Sequence, residues 1–239
     1  MRKSHDRTLG TERPNAETFY FCAGIHFGNL QGVKIAVNRL LGAAILAAGR
    51  SSRMGRPKML LPWGNNSVLG HLIAQWSALD ARQIAVVCAH DDPAIHGELN
   101  RLAFPVSQWI INPAPERGMF SSIQCAARWQ GWQADLTHWA VVLGDQPHLR
   151  EDTLRRLLQF SGAHTQKICQ PVWNARKSHP VVLPRVAFGN LATSEAQDLK
   201  EFLHAFAIAS CELEDEGLGL DIDRPEDYER AKCMRFGKY

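Results

Sequence analysis

The chain has 239 residues, 45% apolar and 21% charged, which suits one well-buried α/β domain and is short for two. Its formal charge of +3 is uneven: residues 1–41 hold six Lys/Arg against three Asp/Glu, whereas residues 42–239 hold 21 of each, a neutral body that argues against a nucleic-acid partner. No run approaches the roughly 18 to 20 consecutive apolar residues of a membrane span, and the N-terminus lacks the apolar core of a signal peptide, so a cytoplasmic location is expected.

Residues 1–41 form an N-terminal extension that shows no sustained periodicity and is predicted to be poorly ordered; residues 42–239 form one domain. Val33 is followed directly by KIAVNRLLGAAILAAG, a natural opening for a domain, so translation is expected to begin near it. From Gly42 to Gly64 the chain reads GAAILAAGRSSRMGRPKMLLPWG. Residues 42–48 are apolar without alternation, as in an inner strand of a parallel sheet covered on both faces. Gly49 then permits a sharp turn that brings backbone N–H groups close to a ligand. Arg50, Arg53, Arg56 and Lys58 place four cations within nine residues, and no acidic residue occurs from Gly42 until Asp80. That field suits a polyanion, and the glycine turn behind a buried strand suits the phosphates of a nucleoside triphosphate. The loop is neither a GxGxxG dinucleotide fingerprint nor a GxxxxGKS/T Walker loop. In it, N–H groups near Ala48 and Gly49 would cradle β- and γ-phosphates, with Arg53 and Lys58 neutralising charge on the α-phosphate and the departing pyrophosphate.

Further strands are predicted at 83–89, 107–111 and 139–144, with helices at 67–79, 93–102 and 118–130 between them, the alternation of an α/β layered fold. Asn112 to Ile123, NPAPERGMFSSI, is a proline-rich turn into a helix start, where Ser121 and Ser122 either contact a base or ribose or cap the helix. Trp139 to Pro147, WAVVLGDQP, is an apolar strand ending in Gly144 and Asp145. A carboxylate there either holds a divalent cation, most simply Mg2+, that bridges phosphate oxygens, or serves the turn before Pro147. Next come a helix near 151–160, a hairpin from 168–172 and 180–184, and a helix from about 195 to 206, where Ala196, Leu199, Phe202, Leu203 and Phe206 recur at helical spacing.

His179 and Pro180 open the second hairpin strand; His179 is either a satisfied structural histidine or a substrate contact. LDIDRPEDYERA puts Asp221 and Asp223 before a Pro-started helix, where Asp223 is either an N-cap or a second metal ligand. The ten histidines show no HxxxH or HxH pairing, which speaks against zinc. The six cysteines are scattered and read as reduced, mostly buried thiols, and the seven tryptophans read as core. Ligands of such sheets bind outside the carboxyl ends of the strands where strand order reverses, so the loop after the first strand and Asp145 are expected to meet.

Taken together these motifs resemble a known family. LAAGRSSRMGRPKMLLP is similar to the signature of the MobA-like nucleotidyltransferases. With NPAPERGMFSSI, GDQP, the HPV of His179 to Val181 and DIDRPEDY, it looks most like the molybdenum cofactor cytidylyltransferase branch, over about residues 42–230. The resemblance implies a three-layer α/β/α Rossmann-like fold, with a mostly parallel sheet and an added hairpin, and transfer of a nucleoside monophosphate with release of pyrophosphate. It puts Leu46, Ala47, Gly49, Arg53 and Lys58 on nucleotide-binding positions, Ser122 on the base side, Asp145 on the metal position and His179 on the acceptor side. Asp223 or Asp221 would be the second metal ligand. The LAAG form resembles the cytidylyl members and implies CTP, with Mg2+ as cofactor, molybdopterin as acceptor and a molybdenum hydroxylase as the partner that receives the product. One departure falls on the acceptor side: Ser178, preceded by Lys177, stands where members often carry glycine. Another phosphorylated acceptor, such as a sugar or polyol phosphate, and a non-catalytic maturation factor are the alternatives.

Overall fold

The computed structural model describes residues 40–49 and 54–237; most of the N-terminal extension, the expected start near Val33, and Arg50 and Arg53 lie outside them. In chain order the elements are β1 (Leu41–Leu46), β2 (Pro62–Trp63), β3 (Asn66–Ser67), α1 (Val68–Ala78), β4 (Gln83–Ala89), α2 (Pro93–Arg101), β5 (Trp109–Asn112), α3 (Met119–Arg128), β6 (His138–Leu143) and α4 (Glu151–Ala163). The second half adds β7 (Ile168–Trp173), β8 (Arg176–Lys177), β9 (Val181–Pro184), α5 (Arg185–Leu191), α6 (Leu199–Leu203), β10 (Ile208–Glu212) and α7 (Pro225–Phe236).

The main sheet runs β10-β7-β9-β6-β1-β4-β5, with β8 paired to β7. Its first half is parallel: β1 lies between β4 and β6, with Ala44 opposite both Ala85 and Val141. The chain steps outward from β1 to β4 and β5 and then returns to the other side of β1 as β6, so strand order reverses between β1 and β6. Ligands collect at the carboxyl ends of strands flanking such a reversal.

Every residue of β1 is buried, because its two faces feed two cores. Leu41, Ala43 and Ile45 pack with Leu69, Leu72 and Trp76 of α1, Ile95 and Leu99 of α2, and Leu154 and Leu157 of α4. Ala44 and Leu46 pack with Ile123 of α3, Phe188 and Leu191 of α5, and Phe202 and Leu203 of α6. The result is the expected three-layer α/β/α arrangement. Side-chain oxygens start α1 and α2: Ser67 accepts from Gly70 N at 3.0 Å and Asp92 from Ile95 N at 3.0 Å.

The second half departs from the reading of the sequence. The tight hairpin is β7 with β8, turned through Asn174 and Ala175, both with positive φ, while β9 lies antiparallel between β7 and β6. The helix expected over 195–206 shrinks to α6, because the Asp198 carboxylate accepts from Glu201 N at 2.8 Å and so starts the helix at Leu199. α5 and the edge strand β10, parallel to β7, were not anticipated. Among the described residues no helix is long and apolar enough to cross a membrane. Among the described residues five cysteines are free; Cys88, Cys169 and Cys211 are buried, Cys125 is partly covered and Cys233 is exposed. Burial pushes the Cys88 thiol up to about 12.

Candidate active site at the strand reversal

Ala47 N donates to Val87 O at 2.8 Å, which carries the β1–β4 ladder one residue beyond the strand before Ala48 and Gly49 leave the sheet. Leu46 pairs with Leu143, so Gly144 and Asp145 emerge beside them. Gly144 is required there by close approach. A Cβ on it would lie 2.3 Å from Met59 Sδ and 3.1 Å from Leu46 O, so the thioether of Met59 closes the floor only because no side chain intervenes.

Lys58 opens a short 3-10 turn, Lys58–Leu60, and its stem is largely covered. Its Nζ donates to Asp145 Oδ2 at 3.2 Å, to Ile222 O at 3.1 Å and to Asp223 Oδ1 at 3.4 Å. Ile222 N donates in turn to Asp145 O at 3.0 Å, which pins the segment before α7 to the end of β6. The ammonium thus holds two carboxylates that are 78 residues apart in the chain (223 − 145). Asp145 Oδ1 is buried with no hydrogen-bond donor, which leaves one face of that carboxylate unmatched.

Asp221 and Asp223 separate clearly. Asp221 Oδ1 accepts from Gln146 Nε2 at 2.9 Å, and desolvation together with the Asp145 charge pushes its carboxyl above the ordinary value. Asp223 turns toward Lys58 and Asp145. The N-cap role considered for Asp223 falls elsewhere: Arg224 is the cap of α7, and Asp227 Oδ2 accepts from Arg224 N at 2.9 Å and from Asp223 N at 3.2 Å.

The third wall is the start of α3. Asn112, at the end of β5 and 1% exposed, donates from Nδ2 to the hydroxyls of Ser121 and Ser122, each at 2.9 Å, and accepts from Ala114 N at 2.9 Å. Gly118, with φ +86°, bends the chain into the helix. Ser121 turns back to Gly118 O at 2.8 Å, whereas Ser122 lines the cleft. Leu46, Ala47, Ala48, Gly49, Lys58, Ser122 and Asp145 thus converge on one cleft of about 370 Å³, together with Met59, Pro115, Gly118, Met119, Leu143 and Gly144. Among the described residues, no group of three or more His, Cys, Asp or Glu side chains gathers as a metal site.

His179 does not line this cleft. It lines a neighbouring one of about 560 Å³, with Gln170 and Lys177. Burial lowers its pKa, opposed by the Asp145 charge and the Val141 backbone, so the imidazole stands neutral near pH 7. Ser178, the residue in the glycine position, faces inward: its hydroxyl donates to Leu218 O at 2.8 Å and accepts from Gln146 Nε2 at 3.3 Å. Asn112, Gln146 and Met59 escaped the reading of the sequence although all three lie inside its motifs; the signal for Gln170 was a lone amide in the apolar run ICQPVW.

Comparison with known proteins matches this arrangement. The family described as the MobA-like NTP transferase domain matches residues 43–211. The molybdenum cofactor cytidylyltransferase of Escherichia coli is 30% identical over 192 residues, covering 79% of this chain and 93% of that protein. The bifunctional protein GlmU of Cereibacter sphaeroides is 32% identical over 123 residues, half of this chain but only 26% of GlmU. The crystal structure of Rv0371c from Mycobacterium tuberculosis superposes with a TM-score of 0.65 at 25% identity, over 81% of this chain and 97% of that one. Ile222 and Asp223 lie beyond the matched segment, yet both touch Lys58.

Proposed function

Because the chain belongs to the MobA-like NTP transferase domain family and is a nucleotidyltransferase, we propose that it transfers CMP from CTP to the terminal phosphate of molybdopterin. The observation that carries this is the convergence of the β1 loop, Lys58, Ser122 and Asp145 on one cleft. The E. coli relative supports the choice of CTP and of the acceptor.

In the reaction an acceptor phosphate oxygen attacks the α-phosphorus of CTP, a new P–O bond forms, and the bond to the β-phosphate oxygen breaks to release pyrophosphate. The nucleophile is already anionic near neutral pH, so no general base is needed and the protein acts by positioning and charge neutralisation. The N–H groups near Ala48 and Gly49 hold the β- and γ-phosphates, and Lys58 meets the charge that builds on the α-phosphate and the leaving group. Arg53, outside the described residues, is assigned the same task. Ser122, its hydroxyl fixed by Asn112, meets the base side, and His179 serves the acceptor. The unmatched Asp145 Oδ1 suits a cation, and Asp223 across Lys58 is the second carboxylate. The two carboxylates would hold Mg2+, which would supply positive charge against the charge that builds in an in-line displacement. A molybdenum hydroxylase is the proposed recipient of the product.

Pyrophosphate release measured with CTP, GTP and ATP in turn, with Mg2+ and molybdopterin, tests this reading. CTP is expected to be preferred. Preference for GTP or ATP, or turnover with a sugar or polyol phosphate but not with molybdopterin, would sink it.

A further inference from the structure

The hydrogen-bonding capacity of Lys58 is already spent. An ammonium has three N–H donors, and Asp145 Oδ2 at 3.2 Å, Ile222 O at 3.1 Å and Asp223 Oδ1 at 3.4 Å take all three. None is left for a phosphate oxygen, although Lys58 lines the nucleotide cleft. The lysine therefore has to release an acceptor before it can meet a nucleotide. Its bonds are unequal: the one to Asp223 is the longest, and that side chain is 45% exposed against 21% for Asp145. A solvent-screened contact at 3.4 Å yields first. Yet the two carboxylates need the charge, because without a cation between them Asp145 and Asp223 would repel. The other oxygen of Asp145, Oδ1, is buried without a donor, so this carboxylate still has capacity for a second cationic contact.

We infer that Lys58 is a placeholder cation: it holds Asp145 and Asp223 together until a divalent cation carried by the incoming triphosphate takes over the two carboxylates, and its ammonium then turns to the phosphates. A divalent ion on the same pair of carboxylates would meet Nζ as a like charge, so the two cannot share them. The consequence is an order of events. The lysine keeps the affinity of the protein alone for the metal low, and the metal enters with the nucleotide, whose phosphates complete a set of ligands that two carboxylates only begin. This inference rests on the reading of Asp145 and Asp223 as the metal carboxylates and adds how Lys58 exchanges with the metal.

The test is titration of Mn2+ into the full chain, with bound metal read by electron paramagnetic resonance. Lys58→Met, which keeps the stem and removes the charge, is expected to bind Mn2+ alone about tenfold or more tightly than wild type. Lys58→Arg restores a cation and should bind it no more tightly than wild type. In a second arm, without acceptor, CTP affinity is measured by calorimetry with Mn2+ and with EDTA. Mn2+ should tighten CTP binding about tenfold or more in wild type, and Asp223→Asn should lose most of that gain, since it removes the shared carboxylate. This arm does not depend on how Lys58→Met folds. Equal Mn2+ affinity in Lys58→Met and wild type, tighter Mn2+ binding by Lys58→Arg, or an undiminished gain in Asp223→Asn overturns the exchange. A wild type whose CTP affinity ignores Mn2+ overturns the metal reading itself and the exchange with it, so the two failures are told apart.

Discussion

The two clefts are built by opposite means. The first lies where parallel strands end, and each strand hands its chemistry to the residues that follow it consecutively: Ala47 to Gly49 after β1, Gly144 and Asp145 after β6, and Pro115 to Ser122 after β5. The second lies on the face of an antiparallel insert, where alternation lets each strand contribute single residues: Gln170 from β7, Lys177 from β8 and His179 just before β9. Strand ends write motifs into a sequence; strand faces leave isolated letters.

If the clefts divide the donor from the acceptor, substitutions should sort accordingly. The largest effects belong to the donor side. Lys58→Ala and Asp145→Ala should each lower turnover about a thousandfold or more, since they remove charge compensation at the reacting phosphates, while circular dichroism stays native. Near-normal turnover of either variant would remove that residue from its assigned role. Gly144→Val comes next: its side chain would displace Met59 and press on Leu46 O, which should cost about 1–3 kcal/mol in denaturant unfolding and raise the KM for CTP. His179→Ala should raise the acceptor KM roughly tenfold and spare the KM for CTP; a change confined to CTP would erase the proposed division. Ser122→Ala should be mildest, raising the CTP KM by about threefold to tenfold, because a single neutral hydrogen bond is lost.

The same contrast explains what the sequence disclosed. β1, β4 and β6 are buried on both faces, so their apolar runs stand out, and the predicted 83–89 strand coincides with β4. Beyond Asp145 the elements are short and their limits are set by tertiary contacts. α6 spans five residues fixed by the Asp198 cap, and β10 is an edge strand with only alternate residues buried. Within the site, Lys58 and Asp145 were legible because each follows a glycine turn or a buried strand. Asn112 and Gln146 lay inside recognised motifs, but their tasks of fixing Ser122 and holding Asp221 depend on partners up to 75 residues away. No local pattern encodes such distances.

The tie between Lys58 and the segment at Ile222 and Asp223 spans 164 and 165 residues. Synthesis runs from one end of the chain to the other, so the donor loop emerges from the ribosome long before the backbone and carboxylate that restrain its lysine. A nascent chain therefore carries a nucleotide loop whose cation still lacks two of its final anchors. The lysine takes up its finished position only when the segment at Ile222 and Asp223 folds back across the carboxyl ends of β1 and β6.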